Sequence, residues 1–411
     1  MILKTLSLHN FKCLSDIQFS FEKSPKELRK WTLIVGENGV GKTSLLEAIA
    51  LLTAGKEAFS CAAANTEGLW LKAGTDSGNI SATFSLGGKK EQSISLDLFN
   101  EVSPKTNEKS LAAAEEIIIK NQTEFLVVAY GATRRKSLGK MEVESGNIRW
   151  QNIQNLLRRE STLNPLTDWI FQLKKQKGEA GTDLAKEALH DFFPEISFHS
   201  LDTDNEQLLF QSEDGIFPLN QLSDGFQSMA AWIGDLLFRI TNYTGNFTDP
   251  FDVPGLLLID EIDIHLHPKW QRQLYNFISS WLPNFQIIAT THSALTAQQA
   301  DTGELFALKR DENQIVRLLP FAGSPRTLLV NQLLMTPVFG LKTDESLAVE
   351  QAKDTYKSQK KKSLTQSGMA GREALTPLPH LDIAMPERAF PTASAKELDL
   401  LAKIEAQLNL K

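Results

Sequence analysis

Cysteine is almost absent from this chain of 411 residues, which contains only Cys13 and Cys61. Two thiols are too few for the cysteine-rich ligand sets of structural zinc sites, and one possible pairing makes no disulfide framework. The first residues lead directly into a strand pattern without a secretory signal. We therefore expect a protein of the reducing cytoplasm rather than a secreted, disulfide-stabilised domain.

Long hydrophobic runs and an excess of positive charge are also missing. No apolar run approaches the roughly 18 residues that a membrane-spanning helix needs, so no membrane association is expected. The 43 lysines and arginines are outnumbered by 50 aspartates and glutamates, which leaves a net charge of −7. Such a chain is not a general polycation for nucleic acid, although a local basic groove is compatible with this sum.

Strand and helix patterns alternate over most of the chain. Three apolar runs, at 31–35, 255–259 and 286–290, have the composition of strands buried on both faces. The expected fold is α/β, with a mixed, largely parallel sheet, helices on both faces, an antiparallel β arm and an inserted helical region.

Shorter-range patterns predict the segments between these strands. Residues 56–80 are small, polar and interrupted by glycine, which predicts a loop or short helices. Alternation around 80–98 predicts an antiparallel hairpin. Helical periodicity from about 150 to 195 precedes a predicted strand pair at 196–218 and another helix at 225–240.

A glycine-rich segment follows the first apolar strand. Gly36-Glu37-Asn38-Gly39-Val40-Gly41-Lys42-Thr43 fits the phosphate-loop pattern G-x-x-x-x-G-K-[ST] between a strand and a helix. Its glycines let backbone N–H groups surround phosphates at a helix N-terminus, whose dipole favours anions. Lys42 is expected to reach the β- and γ-phosphates, and the Thr43 hydroxyl to ligate Mg²⁺. The predicted ATP-binding residues here are Asn38, Gly39, Gly41, Lys42, Thr43 and Ser44.

The second apolar strand ends in two acids, Asp260 and Glu261. An acid at the carboxyl end of a central strand can hold Mg²⁺ directly or through water, and we assign this role to Asp260. Glu261 follows it and is expected to polarise a water molecule in line with the γ-phosphate. Solvated acids are common at strand ends, but the upstream phosphate loop favours the catalytic interpretation.

A histidine follows the third strand, in the segment Thr290-Thr291-His292-Ser293. A strand that ends in Asp-Glu, with a histidine about thirty residues later at another strand end, resembles the plan of ABC-type ATPases. That resemblance implies that His292 contacts the γ-phosphate and the catalytic water.

The segment Leu222–Ser228 resembles the ABC signature L-S-G-G-Q, with Asp224 in place of the first glycine and Phe226 inserted. Ser223 and Gly225 are expected to offer donors to a phosphate at a helix N-terminus. In ABC-type ATPases that phosphate belongs to the nucleotide of the partner subunit. In isolation this heptad favours an ordinary helix cap at Ser223. The order of the phosphate loop, the heptad, Asp260-Glu261 and His292 along the chain favours the signature interpretation instead.

Four segments extend the resemblance to a family. The opening Leu6–Leu14 is similar to the L-x-L-x-N-F-K start of RecF- and SMC-related ATPases, and Asp260–Pro268 is similar to their D-E-x-x-x-H-L-H-P segment. Val128–Arg135 and Leu333–Leu341 resemble a narrower bacterial group, the PtuA-like ATPases of Septu antiphage systems and related retrons. The resemblance covers about residues 1–356.

The family implies ATP and Mg²⁺ as cofactors. It implies a homodimer, or a higher homo-oligomer, in which two chains enclose ATP at their interface. It also implies an antiphage complex with a separate HNH-type, PtuB-like nuclease, through which the complex meets nucleic acid. The alternative function is that of a RecF-like DNA-repair ATPase that gates DNA binding by ATP. Arg134 and Arg135 are equally compatible with a phosphate contact, a nucleic-acid contact or a solvated surface.

These patterns predict an ABC-type ATPase domain over 1–330 and a C-terminal segment over 331–411. The domain is expected to comprise an N-terminal lobe at 1–150, a helical insertion at about 150–220 and a second lobe at 221–330 that carries the signature.

The C-terminal segment is predicted to contain a helix near 344–358, a proline-containing tail at 357–395 and an amphipathic helix at 394–409. It is a candidate docking site for the nuclease. The basic run Lys357–Lys362 is interpreted as a solvated linker or as a DNA contact.

Overall fold

The computed structural model describes residues 2–24, 27–65, 70–85, 91–99, 104–121, 125–136, 147–192, 196–203, 205–243, 250–351, 353–355 and 358. The chain divides into two compact units, residues 1–341 and 342–411. Among the helices of the described residues, none combines the length and the apolar character needed to cross a membrane.

Strands make up much of the first unit and alternate with helices. Up to residue 136 the elements are β1 (Ile2–Phe11), β2 (Leu14–Ser20), β3 (Glu22–Ser24), β4 (Glu27–Leu28), β5 (Trp31–Gly36), α1 (Lys42–Asn65), β6 (Ser77–Ser85), β7 (Glu91–Phe99), α2 (Pro104–Asn121), β8 (Leu126–Tyr130) and β9 (Arg135–Lys136). From residue 147 onward they are α3 (Ile148–Leu157), β10 (Thr162–Leu163), α4 (Leu166–Lys177), α5 (Glu179–Phe192), β11 (Ser197–Asp202), β12 (Gln207–Ser212), β13 (Gly215–Pro218), α6 (Asp224–Thr241), β14 (Gly255–Ile259), α7 (Pro268–Trp281), β15 (Phe285–Thr290), α8 (Ala294–Ala297), β16 (Leu305–Arg310), β17 (Val316–Pro320) and α9 (Val330–Leu334).

The central sheet has six strands in the order β17-β16-β5-β15-β14-β8. Strands β16, β5, β15, β14 and β8 are parallel to one another, and β17 pairs antiparallel with β16 at the edge. The three apolar runs of the sequence are β5, β14 and β15, which are neighbours in this sheet. The expected mixed, largely parallel sheet is confirmed.

Both faces of this sheet are covered, as continuous apolar strands require. Leu257 and Ile287 belong to a hydrophobic cluster with Trp232 of α6 and other residues of α4–α7. Leu258 and Ile288, one residue further along each strand, belong to a second cluster with side chains of α1 and of β1, β6 and β7. Because successive side chains of a strand point to opposite faces, the sheet separates these two cores.

The predicted hairpin at 80–98 is confirmed as the antiparallel pair β6–β7, which extends a four-stranded sheet in the order β2-β1-β6-β7. The predicted strand pair at 196–218 is a three-stranded antiparallel sheet, because the chain turns once more after β12 to form β13. Two short two-stranded sheets, β3–β4 and β9–β10, complete the sheets of the described residues, and Phe11 and Leu71 form an isolated antiparallel bridge.

The expectation of a loop or short helices from residue 56 is confirmed in part, since a kink at Gly55 (φ 78°) divides α1 and a short helical stretch continues from residue 56 to Asn65. The Glu115 carboxylate of α2 accepts a hydrogen bond from the Lys56 N–H at 2.6 Å and thereby replaces a lost helical partner. A Cβ on Gly55 would lie 2.2 Å from Glu115 Oε2. Beyond the kink the helix is held by burial of Ala58, Phe59 and Ala62.

The second unit is described over only a few residues. These are helical at 347–351 and 353–355, within the segment where a helix near 344–358 was predicted. Lys353 forms an ion pair with Glu345. The predicted tail at 357–395, apart from residue 358, and the predicted helix at 394–409 lie outside the described residues.

Candidate nucleotide site

The candidate site lies where parallel strands of the central sheet end. The phosphate loop follows β5, Asp260 and Glu261 follow β14, and the Thr290–Ser293 segment closes β15. Since β15 lies between β5 and β14, these three segments meet at one edge of the sheet. In open α/β sheets this edge, at the carboxyl ends of the strands, is where ligands bind.

The phosphate loop owes its shape to its glycines and to the turn between β1 and β2. Gly39 and Gly41 have φ values of 77° and 104°, which favour glycine. A Cβ on Gly41 would lie 2.7 Å from the Cys13 sulfur, so the β1–β2 turn packs tightly against the loop. Helix α1 begins directly afterwards, at Lys42, and has no acidic residue in its first turn. Its N-terminal dipole is therefore free to attract an anion.

Lys42 is drawn into the loop and is only 7% exposed. Its ammonium donates hydrogen bonds to the carbonyl oxygens of Gly36 and Glu37, both at 2.9 Å. Desolvation lowers the pKa of Lys42, and the negative charges of Asp260 and Glu261 oppose this effect. A phosphate in the loop would give this ammonium an anionic partner. The other predicted loop residues lie around it: Asn38 and Gly39 are exposed, and Ser44 is half-buried in the first turn of α1.

Asp260 joins the phosphate loop to the neighbouring strand. The Thr43 hydroxyl donates to Asp260 Oδ2 at 2.7 Å, and the Thr290 hydroxyl donates to Asp260 Oδ1 at 2.6 Å. Hydroxyl and carboxylate oxygens are hard ligands of the type that Mg²⁺ prefers. The donor set of Thr43 and Asp260 therefore fits a magnesium ion held beside the phosphate loop.

Glu261 has a constrained backbone. Its φ of 47° lies in the left-handed region, which is uncommon for a residue with a side chain. Its N–H donates to the Thr290 hydroxyl at 2.7 Å, so one threonine side chain positions both acids. The side chain is half-buried and follows Asp260 at the sheet edge.

Arg134 also reaches this segment, from the loop after β8. Its Nη2 donates to the carbonyl oxygens of Asp260 at 2.5 Å and Glu261 at 3.0 Å. Desolvation lowers the pKa of its guanidinium to about 10, so the group is still a cation at neutral pH. The residue is partly buried and bound to the backbone, which excludes its interpretation as a freely solvated charge.

His292 is exposed at the end of β15, beside the strand that leads into the phosphate loop. The backbone around it is held on both sides. The Thr291 N–H donates to the Ile34 carbonyl at 3.1 Å, and the Thr291 hydroxyl donates to Asp263. The Ser293 hydroxyl accepts from Leu295 N–H and caps the short helix α8.

The signature-like segment lies at the start of α6. Ser223 is the N-cap residue, but its side chain makes no capping hydrogen bond, and it is exposed. Gly225 lies against the loop after β14, since a Cβ there would be 3.4 Å from the His265 carbonyl oxygen. The inserted Phe226 packs edge-to-face on Trp270, with ring centroids 4.3 Å apart. This packing gives a structural reason for the departure from the L-S-G-G-Q pattern.

The structure thus joins Thr43, Asp260 and Glu261 through Thr290 in one hydrogen-bonded group. Lys42 donates instead to the carbonyl groups of Gly36 and Glu37 in the phosphate loop. Ser223 and Gly225 lie apart at the start of α6. Sequence reasoning missed Thr290 as the residue that links the two acids. A hydroxyl at the end of the strand next to β14 was the available signal.

The family model described as "AAA domain, putative AbiEii toxin, Type IV TA system" matches residues 32–297. The chain belongs to this family. The match begins in β5 and ends in α8, so it spans every segment of the candidate site described above.

Two relatives are similar over most of this chain. The Septu protein PtuA of Bacillus mycoides (strain KBAB4) is 28% identical over 339 residues, which are 82% of this chain and 45% of that protein. The Septu protein PtuA of Bacillus thuringiensis is 29% identical over 332 residues, which are 78% of this chain and 79% of that protein. The chain therefore spans less than half the length of the first relative and most of the second.

Among solved structures, the SMC head bound to the C-terminal winged-helix domain of ScpA covers 78% of this chain and 98% of its own, with a TM-score of 0.47 and 14% identity.

Proposed function

We propose that this chain binds and hydrolyses ATP with the help of Mg²⁺. The observation that carries the proposal is the hydrogen-bonded group of Thr43, Asp260, Thr290 and Glu261 beside the phosphate loop. It joins the predicted magnesium ligands and the predicted base through a single threonine.

Each residue has a role in this proposal. Lys42 and the loop amides bind the β- and γ-phosphates, and Thr43 and Asp260 hold Mg²⁺, which neutralises phosphate charge when bound. Glu261 accepts a proton from the water that attacks the γ-phosphate. His292 lies at the same edge and contacts the γ-phosphate or that water.

We further propose that the chain acts in antiphage defence, as the ATPase of a complex with a separate HNH-type nuclease. The support is its similarity to Septu PtuA proteins over about four fifths of its length. Two chains would enclose two ATP molecules, with Ser223 and Gly225 of one chain facing the nucleotide of the other. The Ser223 side chain is exposed and makes no capping hydrogen bond to α6, which is compatible with such a role.

Two substitutions test the ATPase. Lys42→Ala should abolish ATP binding, because the loop loses its cation. Glu261→Gln should retain ATP binding, lower the hydrolysis rate by about 10²–10³-fold and favour a closed dimer. Lys30→Ala is a matched control, since Lys30 is also a partly desolvated lysine whose ammonium donates to a carbonyl, that of Ser279. ATP binding by calorimetry and phosphate release are the measurements.

Unchanged hydrolysis in Glu261→Gln would show that another group is the base. The defence complex is tested by purifying the chain from its native host at endogenous level and identifying bound proteins by mass spectrometry. A stoichiometric small nuclease supports the proposal. Recovery with replication or repair proteins contradicts it and favours ATP-gated DNA binding, whose DNA affinity would depend on ATP and weaken steeply with salt.

A further inference from the structure

Arg134 makes three hydrogen bonds to backbone carbonyl groups, and two of them are on the acids of the candidate site. Its Nη2 donates to Asp260 and Glu261, and its Nε donates to Gly131 at 3.1 Å in its own loop. A planar guanidinium can hold several acceptors in a fixed arrangement, whereas a lysine ammonium on a flexible stem cannot.

The loop that carries Arg134 is itself fixed from α3. The Asn155 side chain accepts from the Gly131 N–H at 3.0 Å and donates to the Thr133 carbonyl at 3.4 Å. The Asp260 N–H donates to the Tyr130 carbonyl at 2.8 Å, where β8 passes into this loop. The arginine therefore projects from a rigid support.

The backbone that Arg134 contacts needs such support. A left-handed φ is unfavourable at a residue with a Cβ and persists only where surrounding contacts enforce it. At Glu261 the N–H donates to the Thr290 hydroxyl, and the carbonyl accepts from Arg134 and from the Ile264 N–H at 3.1 Å. The next N–H, that of Ile262, donates to the Thr290 carbonyl at 3.0 Å. Arg134 is the one side chain among the described residues that holds this carbonyl. This conformation determines the direction in which the Glu261 side chain leaves the sheet edge.

Arg134 is also in contact with the helix of the signature segment. Its guanidinium carbon lies 5.5 Å from the ring centroid of Trp232, within the range of a cation–π interaction. Trp232 is buried on α6, the helix whose N-cap residue is Ser223.

We propose that Arg134 is a positioning residue, which holds the backbone of Asp260 and Glu261 so that the Glu261 carboxylate faces the γ-phosphate. Because Arg134 also contacts Trp232, the position of the Glu261 carboxylate depends on α6, the helix that carries the signature segment. The inference rests on the ATPase function proposed above and deepens it.

The test compares Arg134→Lys and Arg134→Met with Arg29→Met in the full chain. Arg29 is a matched control away from the site, because it also donates to two carbonyl oxygens, those of Gly303 and Ser20, and lies 5.1 Å from the Phe306 ring centroid. Affinity for a non-hydrolysable ATP analogue and kcat for ATP are measured for each variant.

Both Arg134 variants should lower kcat by about 10²-fold, since a displacement of about 1 Å at a catalytic group has an effect of this size. Their affinity for the analogue should stay within about threefold of wild type, because the loss is in catalysis and not in binding. Arg29→Met should keep kcat within about twofold of wild type, since it lies outside the site.

The link to α6 is tested by Trp232→Phe, which should lower kcat by about tenfold because the support of the guanidinium is weakened. Trp169→Phe changes an equally buried tryptophan on α4 and should leave kcat within about twofold of wild type. Equal loss in the two variants would contradict a specific link through Trp232.

The outcomes separate this inference from the proposed function. If wild type hydrolyses ATP, Lys42→Ala does not, and Arg134→Lys has an unchanged kcat, then the proposed function is supported and the inference about Arg134 is overturned. A parallel loss of kcat and analogue affinity assigns Arg134 a general structural role and also overturns it. A wild-type chain without hydrolysis overturns both.

Discussion

Two buried aspartates of this chain, Asp260 and Asp235, are 4% and 0% exposed but have partners of different kinds. Among the described residues, the Asp260 carboxylate accepts hydrogen bonds from two neutral hydroxyls, those of Thr43 and Thr290. Asp235, on α6, accepts from the Arg239 guanidinium at 2.6 and 3.1 Å, from the Tyr130 hydroxyl at 2.6 Å and from the Asn164 N–H at 2.9 Å.

The partners of Asp235 compensate its charge. Desolvation acts to lower the pKa of Arg239, but Asp235 and Tyr130 together more than offset it, so the pKa is raised. Burial raises the pKa of Tyr130 well above its ordinary value, and the charge of Asp235 adds to this effect. The guanidinium therefore stays charged and the phenol stays a donor over the whole physiological range.

The comparison indicates what each carboxylate can do. Asp235 has a cation and a full set of donors, so it joins α6 to β8 and has no capacity for a further ligand. Asp260 is positioned by neutral hydroxyls, and although the Lys42 and Arg134 charges act on it from nearby, no cation among the described residues hydrogen-bonds its carboxylate. Its oxygens therefore remain available for a metal ion. The kind of partner, more than the degree of burial, distinguishes the structural acid from the candidate ligand.

The largest effect is expected at Asp235. Asp235→Asn leaves the Arg239 charge buried beside a neutral amide, and should lower the free energy of unfolding by about 3–5 kcal/mol. Asp311→Asn is the control, because Asp311 pairs with Arg317 at the surface. The asparagine Oδ1 can still accept from the N–H groups of Asn313 and Ile315, so only the surface ion pair is lost and stability should change little. Denaturant unfolding measures the free energy of unfolding of both variants. Equal values for the two would contradict the structural role of Asp235.

The next effect is expected in catalysis. Asp260→Asn should lower the rate of ATP hydrolysis by about 10²–10³-fold, because the metal loses a charged ligand. The free energy of unfolding without nucleotide should change by only about 1 kcal/mol, since Asn still accepts a threonine hydroxyl. A loss of stability like that of Asp235→Asn would show that Asp260 is a structural residue.

The smallest effect is expected at Glu304, a third buried carboxylate. It accepts from the Tyr275 hydroxyl at 2.7 Å and the Asp301 N–H at 2.9 Å, and burial raises its pKa above the ordinary 4.5. The folded state then retains this proton at a pH where the unfolded state has lost it. Stability should fall as the pH rises from about 4.5 through the raised pKa.

Glu304→Gln should remove this dependence, because Gln keeps an acceptor and has no charge. The variant should be more stable than wild type at neutral pH, and the advantage should disappear below pH about 4. Thermal unfolding of the two proteins across this pH range is the measurement. A constant difference at all pH values would argue against a buried, titrating carboxylate.

Much of this architecture was predictable because its signals are local. A phosphate loop requires glycines at Gly39 and Gly41 whatever the rest of the chain does, and an apolar run followed by Asp260 and Glu261 can only end at a sheet edge. The kink at Gly55 was not predictable, since it depends on Glu115, a residue 60 positions away that inserts its carboxylate into the helix. Helix α2 and strands β16 and β17 were likewise not anticipated.

The residues around Asp260 and Glu261 show the same limit of prediction from sequence. The sequence alone predicts Lys42, Thr43, Asp260 and Glu261 as site residues, because phosphate and metal chemistry constrain residue type and spacing within a few positions. It left Arg134 open among three interpretations, and it did not connect Thr290 or Asp235 with any partner. Only the tertiary structure decided the contacts of these residues, because they depend on which strands are neighbours and which side chains meet across the sheet. Such contacts leave no periodic signal along the chain.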